Sequence, residues 1–281
     1  MEYKKGFDIK PDEIRSDGRV FFTDGTNTFM PNQLACEAYG YIYDSQLGIC
    51  KAYDYTPQLA RTNKQDKVEV KGTNNTTERG VRDTIITGKD NVSKGDNTNN
   101  IICGKNNEIE RAMNNGLVLG KFGQINHNSE FCIGGGGFGS HVGTLQYSIL
   151  QLSGKTTSNA AYTLSLESND FLAEKIKLPA NSITTYEIWL SGLVTGGTSG
   201  TIGDYETMEY HGAILTKNDG TMTHNAKISR LLGRTGSLGT KTIQTDEYQL
   251  NMSVVGQNNV NTQWHAVVKL HINKTVVAEI T

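Results

Sequence analysis

The sequence predicts an all-β protein built in three parts, and three observations predict it. A motif of three apolar or small residues followed by glycine recurs at a near-constant interval between residues 85 and 134. After about residue 142 the pattern changes to strands of ordinary length with alternating polarity, separated by turn signals. Before residue 80, short apolar runs lie between Asp-Gly turns. The parts are residues 1–80, a turn-rich N-terminal module with its linker; 81–139, a β-roll or solenoid shaft; and 140–281, an antiparallel β-sandwich.

In the N-terminal part, Asp17-Gly18 and Asp24-Gly25 bracket Arg19-Val20-Phe21-Phe22-Thr23, a strand between two turns. Tyr41-Ile42-Tyr43 and Ile49-Cys50-Lys51-Ala52-Tyr53 read as hairpin arms around residues 44–48. Phe7, Phe21, Phe22, Tyr39, Tyr41 and Tyr43 concentrate aromatic surface here. That surface reads in two ways, as a docking face or as the core of a small β domain. Cys36 and Cys50 are free to pair, and their spacing does not decide whether they do. Residues 64–79 are polar apart from a Val-Glu-Val patch at 68–70, and read as a linker or as a first, capped coil.

The repeats are Ile85-Ile86-Thr87-Gly88, Ile101-Ile102-Cys103-Gly104, Leu117-Val118-Leu119-Gly120 and Phe131-Cys132-Ile133-Gly134, with glycines 16, 16 and 14 residues apart. Equal intervals and the recurring Gly-Lys at 88–89, 104–105 and 120–121 predict one coil per repeat. Alternation puts Ile85, Ile101, Leu117 and Phe131 in a first column and Ile86, Ile102, Val118 and Cys132 in a middle column on the opposite face. A return strand carrying Val92, Ile109 and Ile125 covers one face. The other face is also apolar, so the pattern predicts an intertwined homotrimer in which identical chains bury it around a threefold axis. Asp90, Asn91, Asn97, Asn99, Asn100, Asn106, Asn107, Asn114, Asn115, Asn126 and Asn128 read as the corners of the coils. Cys103 falls in the third column and Cys132 in the middle one, facing opposite ways, and both read as buried hydrophobes.

The repeat, apolar-x-small or apolar-Gly followed by Asn-rich turns, resembles the head repeats of trimeric adhesins and the same roll in bacteriophage fibres. The resemblance covers about the fifty residues just quoted. It implies a particle-docking N-terminal module, with Phe21, Phe22, Tyr41 and Tyr43 as attachment candidates.

The run Gly134 to Ser140 contains Gly134-x-Gly136-x-x-Gly139, the spacing of a dinucleotide-binding turn. An alternating segment follows instead of a helix, so the run reads as a flexible joint. Beyond it, Leu145 to Leu152, Tyr162 to Leu166 and Tyr248 to Val254 alternate as strands. Ser168-Asn169-Asp170, Asn218-Asp219-Gly220 and Gly256 to Asn259 are turns between strands. Ile176 to Ser182, Trp189 to Val194, Tyr210 to Ile214 and Asn261 to Leu270 together resemble the C-terminal β domain of phage tail-fibre and virion proteins, with a late tryptophan facing inward. His265 departs from that pattern, where an apolar residue is usual, and leaves its face open.

A formal charge of −2, with 20% charged residues and no basic run, argues against a nucleic-acid partner. The start lacks an apolar leader, and no stretch approaches the roughly twenty apolar residues that span a bilayer. These absences point to a virion protein assembled in the host cytoplasm and exposed on the released particle, without membrane insertion.

No catalytic group, cofactor or metal is expected. The six histidines form no His-x-His pair, and Ser140 and His141, adjacent on an extended chain, point apart. Asp204 with Glu206, or Glu206 with Glu209, are pairs that in principle flank a glycosidic bond, but they also suit a solvated strand face.

The expectation is a structural head or tail fibre, held by other virion proteins and presenting a C-terminal domain to a host surface glycan or protein. Thr198, Tyr205, Asn258 and Asn259 are the ligand-binding candidates. A capsid-decorating or tail-adaptor protein without host ligand, and a polysaccharide-degrading tailspike, are the alternatives.

Overall fold

The computed structural model describes residues 9–15, 18–45, 47–52, 67–166 and 174–275. Phe7, Asp17, Gln46, Tyr53, residues 64–66 and the turn at Ser168-Asn169-Asp170 lie outside the described residues. The fold is nearly all β and divides into two compact units, residues 1–66 and 67–281.

In the first unit, β1 (Lys10–Ile14), β2 (Val20–Thr23) and β3 (Thr28–Phe29) form an antiparallel sheet. The Asp24 carboxylate accepts from the backbone N–H groups of Thr26 and Asn27 at 2.9 and 2.8 Å, which closes the β2–β3 turn as the Asp-Gly signal requires. A single turn and a half of helix, α1 (Gln33–Ala38), starts at Asn32, whose side chain accepts from Ala35 N–H at 2.9 Å. The predicted hairpin follows as β4 (Ile42–Asp44) and β5 (Ile49–Lys51). Cys36 and Cys50 are disulfide-bonded, tying the helix to β5, and with Val20 and Phe22 they are the buried core of the unit.

The second unit begins with a β-solenoid of about four turns. One parallel ladder comprises β6 (Val68–Thr73), β8 (Thr84–Lys89), β10 (Ile101–Lys105), β12 (Leu117–Lys121) and β14 (Phe131–Gly135). The return ladder comprises β7 (Thr76–Thr77), β9 (Val92–Ser93), β11 (Glu108–Ile109) and β13 (Gln124–Ile125). The Val-Glu-Val patch is therefore a coil, paired in register with Thr84 to Ile86. Ile85, Ile101, Leu117 and Phe131 stack as one column and Ile86, Ile102, Val118 and Cys132 as the next.

The middle column, with Ile109 and Ile125, fills the coil interior with no exposed surface. Val92 is not part of that interior. It pairs with Glu108, while Ser93 pairs with Ile109 and points inward. A two-residue strand gives one side chain to each face, so a shift of one residue exchanges them. Gly88 (φ 115°) needs its missing side chain twice over: a Cβ there would lie 1.9 Å from the carbonyl oxygen of Gly104 in the next coil.

Eight of the eleven corner candidates divide into two groups. Asp90, Asn99, Asn106 and Asn115 turn the chain with φ near +56 to +59°, as corners. Asn91, Asn97, Asn100 and Asn107 are instead buried in the stack. Asn91 Oδ1 accepts from Asn107 N–H at 3.0 Å, and Asn107 Oδ1 accepts from Gly123 N–H at 2.8 Å. Their Nδ2 groups donate to Gly104 and Gly120 carbonyls at 2.9 and 3.0 Å. The side chains thus satisfy backbone groups where the chain turns from the long ladder to the return ladder.

The glycine run does not separate the stack from the later strands. A single 3-10 turn, Phe138–Ser140, leads into β15 (Leu145–Thr156), which returns antiparallel to β14 with Phe131 opposite Ile149. The expected joint is a connection inside one sheet, because the exposed edge of β14 pairs with the next strand. The remaining strands are β16 (Ala161–Thr163), β17 (Ile176–Lys177), β18 (Ser182–Gly196), β19 (Tyr205–Thr216), β20 (Met222–Arg234), β21 (Thr240–Asp246), β22 (Gln249–Val255) and β23 (Asn261–Lys274).

The long sheet runs β20-β19-β18-β23-β15-β14-β12-β10-β8-β6, and β16, β17 and β21 all pair with β22 in a second sheet. Leu150, Tyr186, Ile188 and Val268 of the long sheet share one buried core with Leu250, Met252 and Val254 of β22. Strict alternation along β18 and β23 sends one set of side chains into that core and the other to the opposite face. Trp264 faces in and His265 faces out.

Candidate functional site

The outer face of the coil stack is the first surface that the sequence singles out. Ile85 and Ile101 are 41% and 44% exposed, Leu117 and Phe131 are half-buried, and the neighbouring row carries Thr87, Cys103, Leu119 and Ile133. Both columns belong to strands whose inward side chains already fill the coil, so this strip has no cover within the described chain. Cys103 is exposed here, not buried as expected; only Cys132 is a core thiol.

Of the attachment candidates, Phe22 is fully buried and is core rather than surface. Phe21 lies half-buried with the Arg15 guanidinium 3.9 Å over its ring. Tyr41 and Tyr43 pack partly against the Phe22 core. The exposed apolar side chains of this unit are others, with Leu34, Leu47 and Ile14 foremost.

Three ligand-binding candidates come together. Thr198, Asn258 and Asn259 are exposed in two loops joined by the Ser199 N–H to Asn259 carbonyl bond at 3.0 Å, and Asn258 accepts from Asn159 N–H at 3.2 Å. Tyr205 starts β19 and pairs with Leu193 on the outer face of the long sheet.

Glu206 and Glu209 do not come together on one face. Glu206 is buried, accepts from Leu238 N–H at 2.7 Å and pairs with Lys241. It is a structural carboxylate, not part of a solvated face. Glu209 projects from the opposite face of β19, held by His211 Nε2 at 2.8 Å and Arg230 at 2.9 Å. The His211 hydrogen bond, followed by Arg230, keeps its carboxyl below the usual range. Alternation therefore separates Glu206 and Glu209 across the sheet.

Sequence reasoning missed a buried polar junction where the stack meets the following strands. Glu130 accepts from Asn126 N–H (3.0 Å), His127 N–H (3.2 Å), His127 Nδ1 (3.0 Å) and Ser148 Oγ (2.5 Å). His127 Nε2 in turn accepts from Lys177 N–H at 2.9 Å, so the ring bridges Glu130 and β17. Burial would raise the Glu130 pKa, but the hydrogen bonds, His127 first, outweigh it and leave the carboxylate below its ordinary range. The signal was the shortening of the last repeat interval from 16 to 14 residues.

No known family profile and no curated protein matches the chain. Among solved structures, the tailspike protein of Acinetobacter baumannii phage AM24 is similar at 9% identity, covering 73% of this chain and 43% of that one, with a TM-score of 0.28. Tailspike protein gp49 of Acinetobacter baumannii bacteriophage Fri1, a capsular polysaccharide depolymerase, is similar at 9% identity over 72% of this chain and 46% of that one, with a TM-score of 0.26. The chain spans less than half the length of these structures.

Among the described residues, no group of three His, Cys, Asp or Glu side chains is placed to hold a metal ion. No helix among them is long and apolar enough to cross a membrane.

Proposed function

We propose that the chain is a non-enzymatic structural fibre segment of a bacteriophage particle, on head or tail, that assembles as a homotrimer. Its N-terminal module anchors it to other virion proteins, and its C-terminal β-sandwich faces a host surface glycan or protein. The observation that carries this reading is the exposed column Ile85, Ile101, Leu117 and Phe131 on a coil stack whose interior is already full. An apolar strip repeated at every coil matches a surface of the same period, and a second copy of this chain in parallel register has that period. Three copies around an axis along the stack would bury the strip, each square ångström contributing about 25 cal/mol.

Trimerisation gives the function its physics: three weak sites on one tip hold a surface longer than one site does. Glu206 and Glu209, each neutralised by a cation and on opposite faces, support adhesion over glycan cleavage. The sandwich reading rests on the core shared by the long sheet and β22.

Sedimentation of the full chain tests this reading, with a mass of three chains expected and a stable monomer overturning it. Ile101→Asp, which sets a charge in the middle of the strip, is expected to yield folded monomer. Cys103 reports on the same face, since Cys36 and Cys50 are bonded and burial, then Glu130, pushes the Cys132 thiol up to about 12. Maleimide labelling of Cys103 is expected to be slow in the trimer and fast in Ile101→Asp.

A further inference from the structure

The outer face of the long sheet changes character beyond the coil stack. β14 pairs only with Gln146 to Ile149 of β15, so the rows at Gln151, Ser153 and Lys155 extend past the stack. There Ser153, His265 and Ser191 stand side by side on β15, β23 and β18, with Lys155, Gln263 and Leu193 as the next row. The two serines leave a hollow of about 660 Å³ between taller neighbours. Tyr162 lines the hollow itself, and two exposed aromatics flank it: Trp189, 51% exposed, one row away along β18 and opposite Val267 and Glu209, and Tyr205, 41% exposed, beside Leu193.

We propose that this hollow binds a short oligosaccharide of pyranose units, a reading that rests on the adhesive function proposed above and locates it. The volume lies within the range of small-ligand sites, and Trp189 and Leu193, the cross-strand partner of Tyr205 on β19, are four residues apart along β18, roughly 13 Å. Indole and phenol faces cover the apolar C–H faces of sugar rings, while hydroxyl, amide and imidazole groups between them match ring hydroxyls as donors and acceptors. The charges around Trp189 are already matched. Lys269 lies 4.9 Å from its ring centroid and 3.4 Å from Glu187, and Glu209 is held by Arg230. With the charges around Trp189 matched and a single lysine, Lys155, lining the hollow, the surface favours a polyhydroxyl ligand over a charged protein partner, which would need a larger unmatched patch.

The test is binding of the full chain to a printed array of bacterial pyranose oligosaccharides and to host cells, alongside Trp189→Ala, Tyr205→Ala and Ser191→Trp, the last filling the hollow. All three side chains are at the outer face, and unchanged sedimentation and circular dichroism confirm folding. Array binding by the parent chain that falls at least tenfold in each variant is the expected result. A second readout is protection of Trp189 emission from iodide quenching by the bound glycan, with Trp264 buried as the internal reference. Glycan binding unchanged in the variants overturns this site and leaves adhesion standing. Protease-sensitive cell binding with a blank array assigns the partner to protein and also overturns it. Failure to bind either array or cells defeats the adhesive reading together with the site.

Discussion

The indole of Trp264 packs directly against Gly192: a Cβ on that glycine would sit 2.6 Å from the ring. Gly154 stands in register on the other side of Trp264, and Trp264 Nε1 donates to Thr156 Oγ1 at 2.9 Å. Gly192 makes room for the indole, Gly154 makes room for Tyr162 and Leu164 beside it, and the Thr156 hydroxyl satisfies the only polar atom of the indole. Gly192→Ala is expected to destabilise the 67–281 unit by about 1–3 kcal/mol through overpacking. Trp264→Ala is expected to cost about 3–5 kcal/mol. Urea unfolding with unchanged m-values checks both.

The buried asparagine ladder predicts a cost that an apolar replacement does not recover. Asn107→Leu keeps volume but strips Gly123 N–H and the Gly120 carbonyl of their partner. Each orphaned group costs about 1–3 kcal/mol, so a loss of several kcal/mol is expected. Asn106→Gly, at a corner with φ 56°, is expected to be near neutral. Thermal unfolding of the two variants side by side tells the ladder from the corner.

Glu130 gives the unit an acid-sensitive step. Its folded-state pKa lies below the ordinary 4.5, so the native state holds the proton less tightly than the unfolded chain. The stabilisation is complete above pH 4.5 and drains away as pH falls through the folded value. Glu130→Gln is expected to be less stable at neutral pH, with a shallower loss toward acid. Chemical denaturation at pH 7, 5 and 3 measures the slope.

The disulfide predicts a selective response to reductant. Cys36 and Cys50 are 14 residues apart and close a loop within residues 1–66. Opening such a loop costs about 3 kcal/mol. Dithiothreitol is expected to lower the unfolding transition of that unit and leave the 67–281 transition in place, as resolved by calorimetry.

Stacking was legible because a 16-residue interval determines which side chains stand above one another, and the register of Ile85, Ile101 and Leu117 follows from it. The face of Val92 was not legible, since two-residue return strands carry no alternation to count. The ligand-binding candidates were legible only as turn residues. That Thr198 and Asn259 share one loop cluster, and that Trp189 is exposed, depends on strand pairings far apart in the chain.

The sequence by itself determined the coils, their glycine column, the two apolar faces and the alternating strands beyond them, because each follows from backbone periodicity over a few residues. Only the tertiary structure decided which asparagines turn inward, that Cys36 meets Cys50, that Glu130 is buried under His127 and Ser148, and that Trp264 reaches Thr156, 108 residues away. Those relationships are set by which strands pair and which surfaces they cover together, and a local pattern carries no record of a neighbour so distant in the chain.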